Sequence, residues 1–306
     1  LPPQVEIAAE RGAAGLAGFL RARAGYYEAV VVSRPHNMHS FLKARQAAPR
    51  FHAPLIYDAE AIFALRDPAA DSGRAVRREL ALAEPAAVVL AVSEADARRF
   101  RSAGKADVRV LGHALEPRPT PQAFEARRDL LFVGALDEDG SPNADSLVYF
   151  VEEVMPLLDG LIGADWRLRV AGRDGAPRVR GLAGPRVALL GPVEDLWPLY
   201  GESRLFIAPT RFAAGLPMKV HEAAAAGLPV AATTLLAGQL GWSDGVELLA
   251  ADGPEAFARA CQRLATEPKL WSRLRVAALA RVARDCSPQA FRRTVAEALA
   301  AARAAS

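Results

Sequence analysis

The sequence predicts an α/β protein made of two open domains, each with a parallel sheet. Three observations carry this. Short β-branched runs alternate with amphipathic stretches through residues 26–115. Three prolines within the seven residues EPRPTPQ (116–122) then interrupt the alternation. The alternation restarts at residue 129 and continues to residue 251. Strands alternating with helices imply parallel βαβ units. A segment with three prolines suits neither a central strand nor a helix interior, so it reads as an interdomain linker. The expected domains are 1–125 and 126–306, with the C-terminal helices of the second packing back on the first. Such a pair encloses a cleft, and ligands bind at the carboxyl ends of the strands. At 306 residues, 51% apolar and 24% charged, the chain can bury a sizeable core.

In the first domain, strands are expected within YYEAVVVSRP (26–35), APLIYDAEA (53–61), AAVVLAVSEAD (86–96) and DVRVLGHAL (107–115). HSFLKARQAA (39–48) and residues 70–84 have helical spacing. VEI (5–7) is a candidate fifth strand. The domain is short for such a sheet, so either it is unusually small or its opening βαβ unit is missing. The first residue is leucine, which suggests a sequence cut from a longer protein. In the second domain, strands are expected at 129–135, 167–172, 186–191, 204–209, 229–233 and 246–251. Helices are expected at 143–159, 195–201, 217–226, 254–266, 268–284 and 288–304.

Several classes of protein are disfavoured. A net charge of +3, with no long Lys/Arg run and no basic stripe interleaved with aromatics, argues against nucleic acid as a partner. The apolar runs are too short to span a bilayer, and no signal peptide is visible. Cys261 and Cys286 form no CxxC or Cys/His spacing, so neither a disulfide framework nor a metal site is expected. A reducing, cytoplasmic compartment fits.

The chemistry concentrates in RFAAGLPMKVHEAAAAGLPVAAT (211–233). It reads as a strand end, a loop and a helix start. Pro217 suits the first helical turn, where its missing N–H costs nothing. Free backbone N–H groups and the positive helix end then make an anion site. Gly215 allows close backbone approach, and Lys219 and Arg211 add formal charge. Glu222 is suited to accept paired hydroxyls such as those of a ribose. The competing reading is a Lys219–Glu222 surface pair at i,i+3. The alanines around them argue against a solvated helix face.

With these segments in view, the order FVGALDEDGSPNADSLVYFVEEVMPLL, RLRVAG, VALLGPVEDLWPLY, the 205–233 stretch and FARACQRLATEPKLWSRL resembles the donor half of GT-B glycosyltransferases. It is most similar to the retaining, family 4-like enzymes of bacterial surface-polysaccharide and O-antigen synthesis. The resemblance covers about 129–300 in order. EAVVVSRPHN, PLIYDAEAIFALRD and AVSEADARRF resemble the acceptor-side domain more loosely. The resemblance implies two Rossmann-like domains, the first one short or truncated. It also implies residue roles. Glu222 matches the second glutamate of the Glu-x7-Glu motif, which binds the ribose. Lys219 and the N–H groups from Gly215 to Met218 match the diphosphate site. Val193 and Glu194 match the loop beside the nucleobase. Gly134 matches the glycine where the first donor-domain strand meets the cleft, and Gly172 and Arg173 lie at another strand end.

Two departures stand out. The first motif glutamate is replaced by Ala214, which leaves the sugar contact in doubt. The basic residue expected after the first donor-domain strand is absent from GALDEDGSPN, and Arg211 or Arg173 is the expected substitute.

On the acceptor side, SRPHNMH (33–39) follows a strand directly, which places Arg34, His36 and Asn37 towards the cleft. Asp58 and Glu60 end the next strand, where they either bind acceptor hydroxyls or cap the following helix. Arg34, His36 and Asp58 are the candidate catalytic residues. Ser93, Glu94 and Asp96 read as a helix N-terminus, and His113 as packing near the linker.

The resulting expectation is transfer from a nucleotide-diphospho-sugar to a glycan or lipid-linked acceptor. The transfer would be retaining, with no metal and no cofactor beyond the donor substrate. The location would be cytoplasmic, compatible with peripheral association at the inner membrane face. A nucleotide-sugar epimerase or hydrolase on the same scaffold, and a non-catalytic binding domain of a larger protein, stay open as alternatives.

Overall fold

The structure, a computed structural model, describes residues 5–8, 12–66 and 72–305. The chain divides into two compact units: Leu1–Gly112 with Arg292–Ser306, and His113–Phe291.

The first unit holds four parallel strands in the order β1-β2-β3-β4: β1 (Val30–Ser33), β2 (Leu55–Asp58), β3 (Val88–Ala91) and β4 (Val108–Val110). Each lies within a predicted run. The helices are α1 (Leu16–Ala22), which the sequence reading did not anticipate, α2 (Pro35–Gln46), α3 (Ser72–Ala81) and α4 (Glu94–Ser102). Ser93 caps α4 by accepting the Asp96 N–H at 3.1 Å. The fifth strand expected at 5–7 is not formed. Val5 and Ile7 are 50% and 64% exposed, so these three residues bring no buried apolar face to a sheet.

The second unit holds six parallel strands in the order β10-β9-β8-β5-β6-β7. They are β5 (Arg128–Val133), β6 (Leu168–Ala171), β7 (Val187–Leu189), β8 (Ser203–Ala208), β9 (Val230–Ala232) and β10 (Leu249–Ala250). The chain builds outward from β5 through β6 to β7. It then returns to the other flank of β5 and builds outward again through β8, β9 and β10. The loops after β5 and β8 therefore leave neighbouring strand ends in opposite senses. That reversal opens a crevice at the carboxyl edge of an α/β sheet.

The expected helix at 143–159 is α5 (Pro142–Tyr149), a wide π turn over Phe150–Val154, then α6 (Met155–Ile162). Pro156 has no N–H to donate to the turn before it, and the helix widens just ahead of it. Two short helices, α7 (Pro177–Arg180) and α10 (Thr234–Leu240), were not expected. The remaining elements follow the prediction closely: α8 (Trp197–Glu202), α9 (Met218–Ala225), α11 (Pro254–Thr266), α12 (Pro268–Asp285) and α13 (Pro288–Ala304). From Arg292 onward α13 belongs to the first unit, where Ala298 and Ala302 pack on Ile56, Val88 and Leu90. Among the described residues, no helix is long and apolar enough to cross a membrane.

The Pro-rich stretch lies in the second unit. The Arg118 and Thr120 N–H groups donate to the Ala225 and Ala226 carbonyls at 2.8 and 3.0 Å. Below it, Arg127 is fully buried. Its guanidinium donates to Gln122 O at 2.9 Å, Tyr200 O at 2.7 Å and Thr120 Oγ1 at 2.6 Å, and lies 4.9 Å from the Trp271 ring centre. Burial, then the neighbouring Arg275 and Arg204, lower its pKa to about 10.

Candidate functional site

The loop after β8 and the first turns of α9 lie at the carboxyl end of β8, beside the point where the strand order reverses. Gly215 adopts φ +82°, a left-handed conformation that glycine takes without strain. Pro217 stands at the cap, one position before the first helical residue. The Val220 and His221 N–H groups turn inward to the Pro217 carbonyl at 3.0 and 3.4 Å. Among the described residues, no protein acceptor takes the N–H of Gly215, Leu216, Met218 or Lys219. These donors and the helix dipole favour an anion. Met218 is 41% exposed at this edge.

Lys219 is half-buried and forms no ion pair among the described residues. Its ammonium donates to Asn143 Oδ1 at 2.8 Å and lies 4.8 Å from the Phe132 ring centre. Burial alone pulls its pKa from 10.5 to about 7. Glu222 is also half-buried, and among the described residues it has neither an ion pair nor a hydrogen bond through its carboxylate. Burial raises its pKa. The two charges on α9 are therefore not a surface pair closed on itself. Each is partly desolvated and uncompensated, an arrangement that costs stability unless a ligand completes it.

The other predicted donor-site residues fall into three groups. Gly134 and Gly172 are brought together at the ends of β5 and β6. Gly172 has φ +141°, and a Cβ there would lie 1.8 Å from the Gly134 carbonyl oxygen. Arg173 and Arg211 are each engaged by a carboxylate. Arg173 pairs with Asp137 at 2.8 Å and is 69% exposed. Arg211 holds Asp145 of α5 through two bonds, at 2.5 and 3.0 Å, above the Tyr149 ring. Val193 is partly buried against the apolar cluster that includes Leu199, Tyr200 and Val220, and Glu194 is exposed. Ala214 is half-buried, and the preceding Ala213 carbonyl accepts from Gln239 at 3.0 Å.

Sequence reading missed three features. Asn143 joins Lys219 to the end of β5. Tyr200 has a buried hydroxyl with no hydrogen-bond partner among the described residues, and its pKa is raised by burial and then by Glu222. His113 is more than packing: its Nδ1 lies 2.8 Å from Nδ1 of His221, with the rings nearly perpendicular. His221 also rests against Trp242. Burial lowers both imidazole pKa values, that of His221 to about 4.

In the first unit, the corner after β1 is strained. Arg34 has φ +75° and ψ +147°, a region populated essentially by glycine, at a cost of about 1–3 kcal/mol. Its N–H donates to Asp58 O at 2.9 Å and its Nε to Glu60 Oε2 at 2.7 Å. Glu60 is itself left-handed, at φ +53°. Ser33 Oγ donates to Asp58 Oδ2 at 2.9 Å. Burial raises the Asp58 pKa, against the opposing Ser33 bond. His36 is exposed on the first turn of α2, edge-on to Phe63. Asn37 spends its amide on Ser33 O at 2.9 Å. Neither Asp58 nor Glu60 caps the helical turn that follows. Glu79 does so from α3, accepting the Phe63 and Ala64 N–H groups at 2.7 Å each. Arg34, Asp58 and Glu60 thus form one polar cluster, with His36 beside it.

Comparison with known proteins identifies the fold. The fold is shared with solved GT-B glycosyltransferases. HepE of Anabaena, solved with UDP and glucose, is 18% identical with a TM-score of 0.72, over 97% of this chain and 84% of that one. Sucrose-phosphate synthase of Thermosynechococcus elongatus is 18% identical with a TM-score of 0.76, over 99% and 82%. A variant of S. aureus TarM, solved with fondaparinux, alpha-GlcNAc-glycerol and UDP, is 11% identical with a TM-score of 0.75, over 94% of this chain and 58% of that one. Residues 127–267 match the family "Glycosyl transferases group 1", and the match lies wholly within the second unit. No curated protein matches the sequence significantly.

Proposed function

We propose that the chain is a glycosyltransferase that moves a sugar from a nucleotide-diphospho-sugar to a glycan or lipid-linked acceptor, in the cytoplasm. The observation that carries this is the uncompensated Lys219 and Glu222 on one helix start, beside backbone N–H donors without protein acceptors. A diphosphate satisfies the ammonium and the N–H groups. A ribose diol satisfies the carboxylate. Neither charge needs the other. The UDP bound in HepE and TarM supports a uridine nucleotide.

In this reading the leaving diphosphate gains negative charge as the sugar bond breaks. Lys219 and the α9 N-terminus offset that charge without a metal. Arg211 and Arg173 stand nearby on carboxylates they can exchange for phosphate oxygens. Val193 and Glu194 flank the base. Arg34, His36 and Asp58 handle the acceptor hydroxyl in the first unit. Retention of the anomeric configuration is proposed on family resemblance. Ala214 and the short first unit favour one competing reading, a non-catalytic binding or scaffold domain that binds nucleotide poorly or not at all.

Calorimetric titration with UDP, GDP and their sugar conjugates tests the reading. Wild-type protein should bind one nucleotide series. Glu222→Ala should weaken it by roughly tenfold to a hundredfold, the worth of hydrogen bonds to a charged group. Equal affinity in wild type, Lys219→Ala and Glu222→Ala would refute the assignment. Rapid donor breakdown without acceptor would indicate a hydrolase or epimerase instead.

A further inference from the structure

We propose that Asn143 is a positioning residue of the donor site: a neutral clasp that holds the Lys219 ammonium for a diphosphate without discharging it. The inference rests on the reading that Lys219 meets the diphosphate.

Asn143 sits in the first turn of α5, whose start is fixed by Ser141 accepting the Ala144 N–H at 3.2 Å. Its two amide atoms have separate tasks. Nδ2 donates to the Ala135 carbonyl at 3.1 Å, and Oδ1 accepts from Lys219 at 2.8 Å. Chemistry fixes this orientation. A carbonyl can only accept and an ammonium can only donate, so a flipped amide would lose both bonds. The Ala135 bond therefore locks the oxygen onto Lys219.

Gly134 makes room for this clasp. A Cβ on Gly134 would lie 2.8 Å from Asn143 Cγ and 2.9 Å from Nδ2. The glycine at the end of β5 thus has a role besides any approach of a ligand to its backbone: its empty side is filled by the Asn143 amide.

An amide suits this place for an electrostatic reason. A carboxylate would close an ion pair and satisfy Lys219 before any phosphate arrived. An aliphatic side chain would leave the buried ammonium without an acceptor. The amide takes one of three ammonium protons and leaves the formal charge intact. The surroundings agree. Lys219 faces Asn143 from α5 and the Phe132 ring from β5, and no charged side chain contributes to the shift of its pKa. Arg173 and Arg211 already carry aspartates, whereas Lys219 has no carboxylate partner among the described residues.

The test uses the full chain and UDP as the probe, by calorimetry from pH 7 to 9, with thermal melts to confirm folding. Asn143→Asp is nearly isosteric. It should weaken UDP about tenfold or more at pH 7, since the new carboxylate competes with the phosphate. It should also move the alkaline fall in affinity upward by about a pH unit or more, because the ion pair retains the proton. Gly134→Ala, which displaces the amide and leaves its chemistry intact, should weaken UDP without that upward move. Wild-type affinity and an unmoved pH profile in Asn143→Asp would overturn the inference. So would unfolding of both variants, since the amide would then be holding the fold and not the lysine. If Lys219→Met binds UDP as wild type does, the diphosphate contact itself fails. If Lys219→Met loses binding and the Asn143 and Gly134 variants do not, only the clasp fails.

Discussion

On the proposed reading, Lys219 should make nucleotide binding pH-dependent between about pH 7 and 9, a range in which an ordinary surface lysine stays charged and leaves affinity flat. Burial holds its pKa near 7 in the empty site, against 10.5 for a free lysine. A diphosphate oxygen in contact favours the charged form and returns the pKa towards its ordinary value. Above pH 7 the empty site is increasingly neutral, while the occupied site stays charged. Binding then takes up a proton, and each pH unit costs up to about tenfold in affinity, or 1.4 kcal/mol. Between pH 7 and 9 the wild-type protein should lose roughly tenfold to a hundredfold in UDP affinity. Calorimetry at pH 8.5 in two buffers of different ionisation enthalpy measures the proton directly, and uptake should approach one per nucleotide. Lys219→Met should bind weakly, take up no proton and show no such fall. Flat wild-type affinity from pH 7 to 9, with no proton uptake, would refute the reasoning.

Two predictions concern stability. Gly172→Ala should destabilise the protein by about 3 kcal/mol or more, read as a lower urea midpoint, because the new Cβ would lie 1.8 Å from the Gly134 carbonyl oxygen at φ +141°. An unchanged midpoint would show that the β5 and β6 ends are not in this contact. The buried His113–His221 pair should make the fold acid-sensitive. In the unfolded chain His221 takes a proton near pH 6.5, and in the fold only near 4. Its contribution is complete above pH 6.5 and is lost as pH falls to about 4, at roughly 1.4 kcal/mol per pH unit. Urea midpoints at pH 7 and 5 should differ by about 2 kcal/mol in wild type and by less in His221→Asn.

The strands of both units were legible because buried parallel strands need β-branched runs, and those runs are hard to mistake. The helix over 142–162 was legible in extent but not in form, since its π turn depends on how the chain accommodates Pro156. Lys219 and Glu222 stood out as charges among alanines, a contrast that survives without a structure. Asn143 did not stand out. Its partner is 76 residues away, and in sequence it is an ordinary first-turn asparagine. His113 was hidden in the same way, 108 residues from His221. The sequence shows that Arg173 and Arg211 are cations. Only the fold shows that Asp137 and Asp145 already hold them.

The imidazole pair has one more consequence. Two Nδ1 atoms at 2.8 Å share a single proton, so the rings cannot be the same tautomer. One carries its proton on Nδ1 and donates. The other must carry its own on Nε2 and accept. Naming the form of His113 therefore names the form of His221. Because His221 lies between Lys219 and Glu222 on α9, nitrogen shifts read at His113 would report from a distance whether the helix that carries both charges is seated.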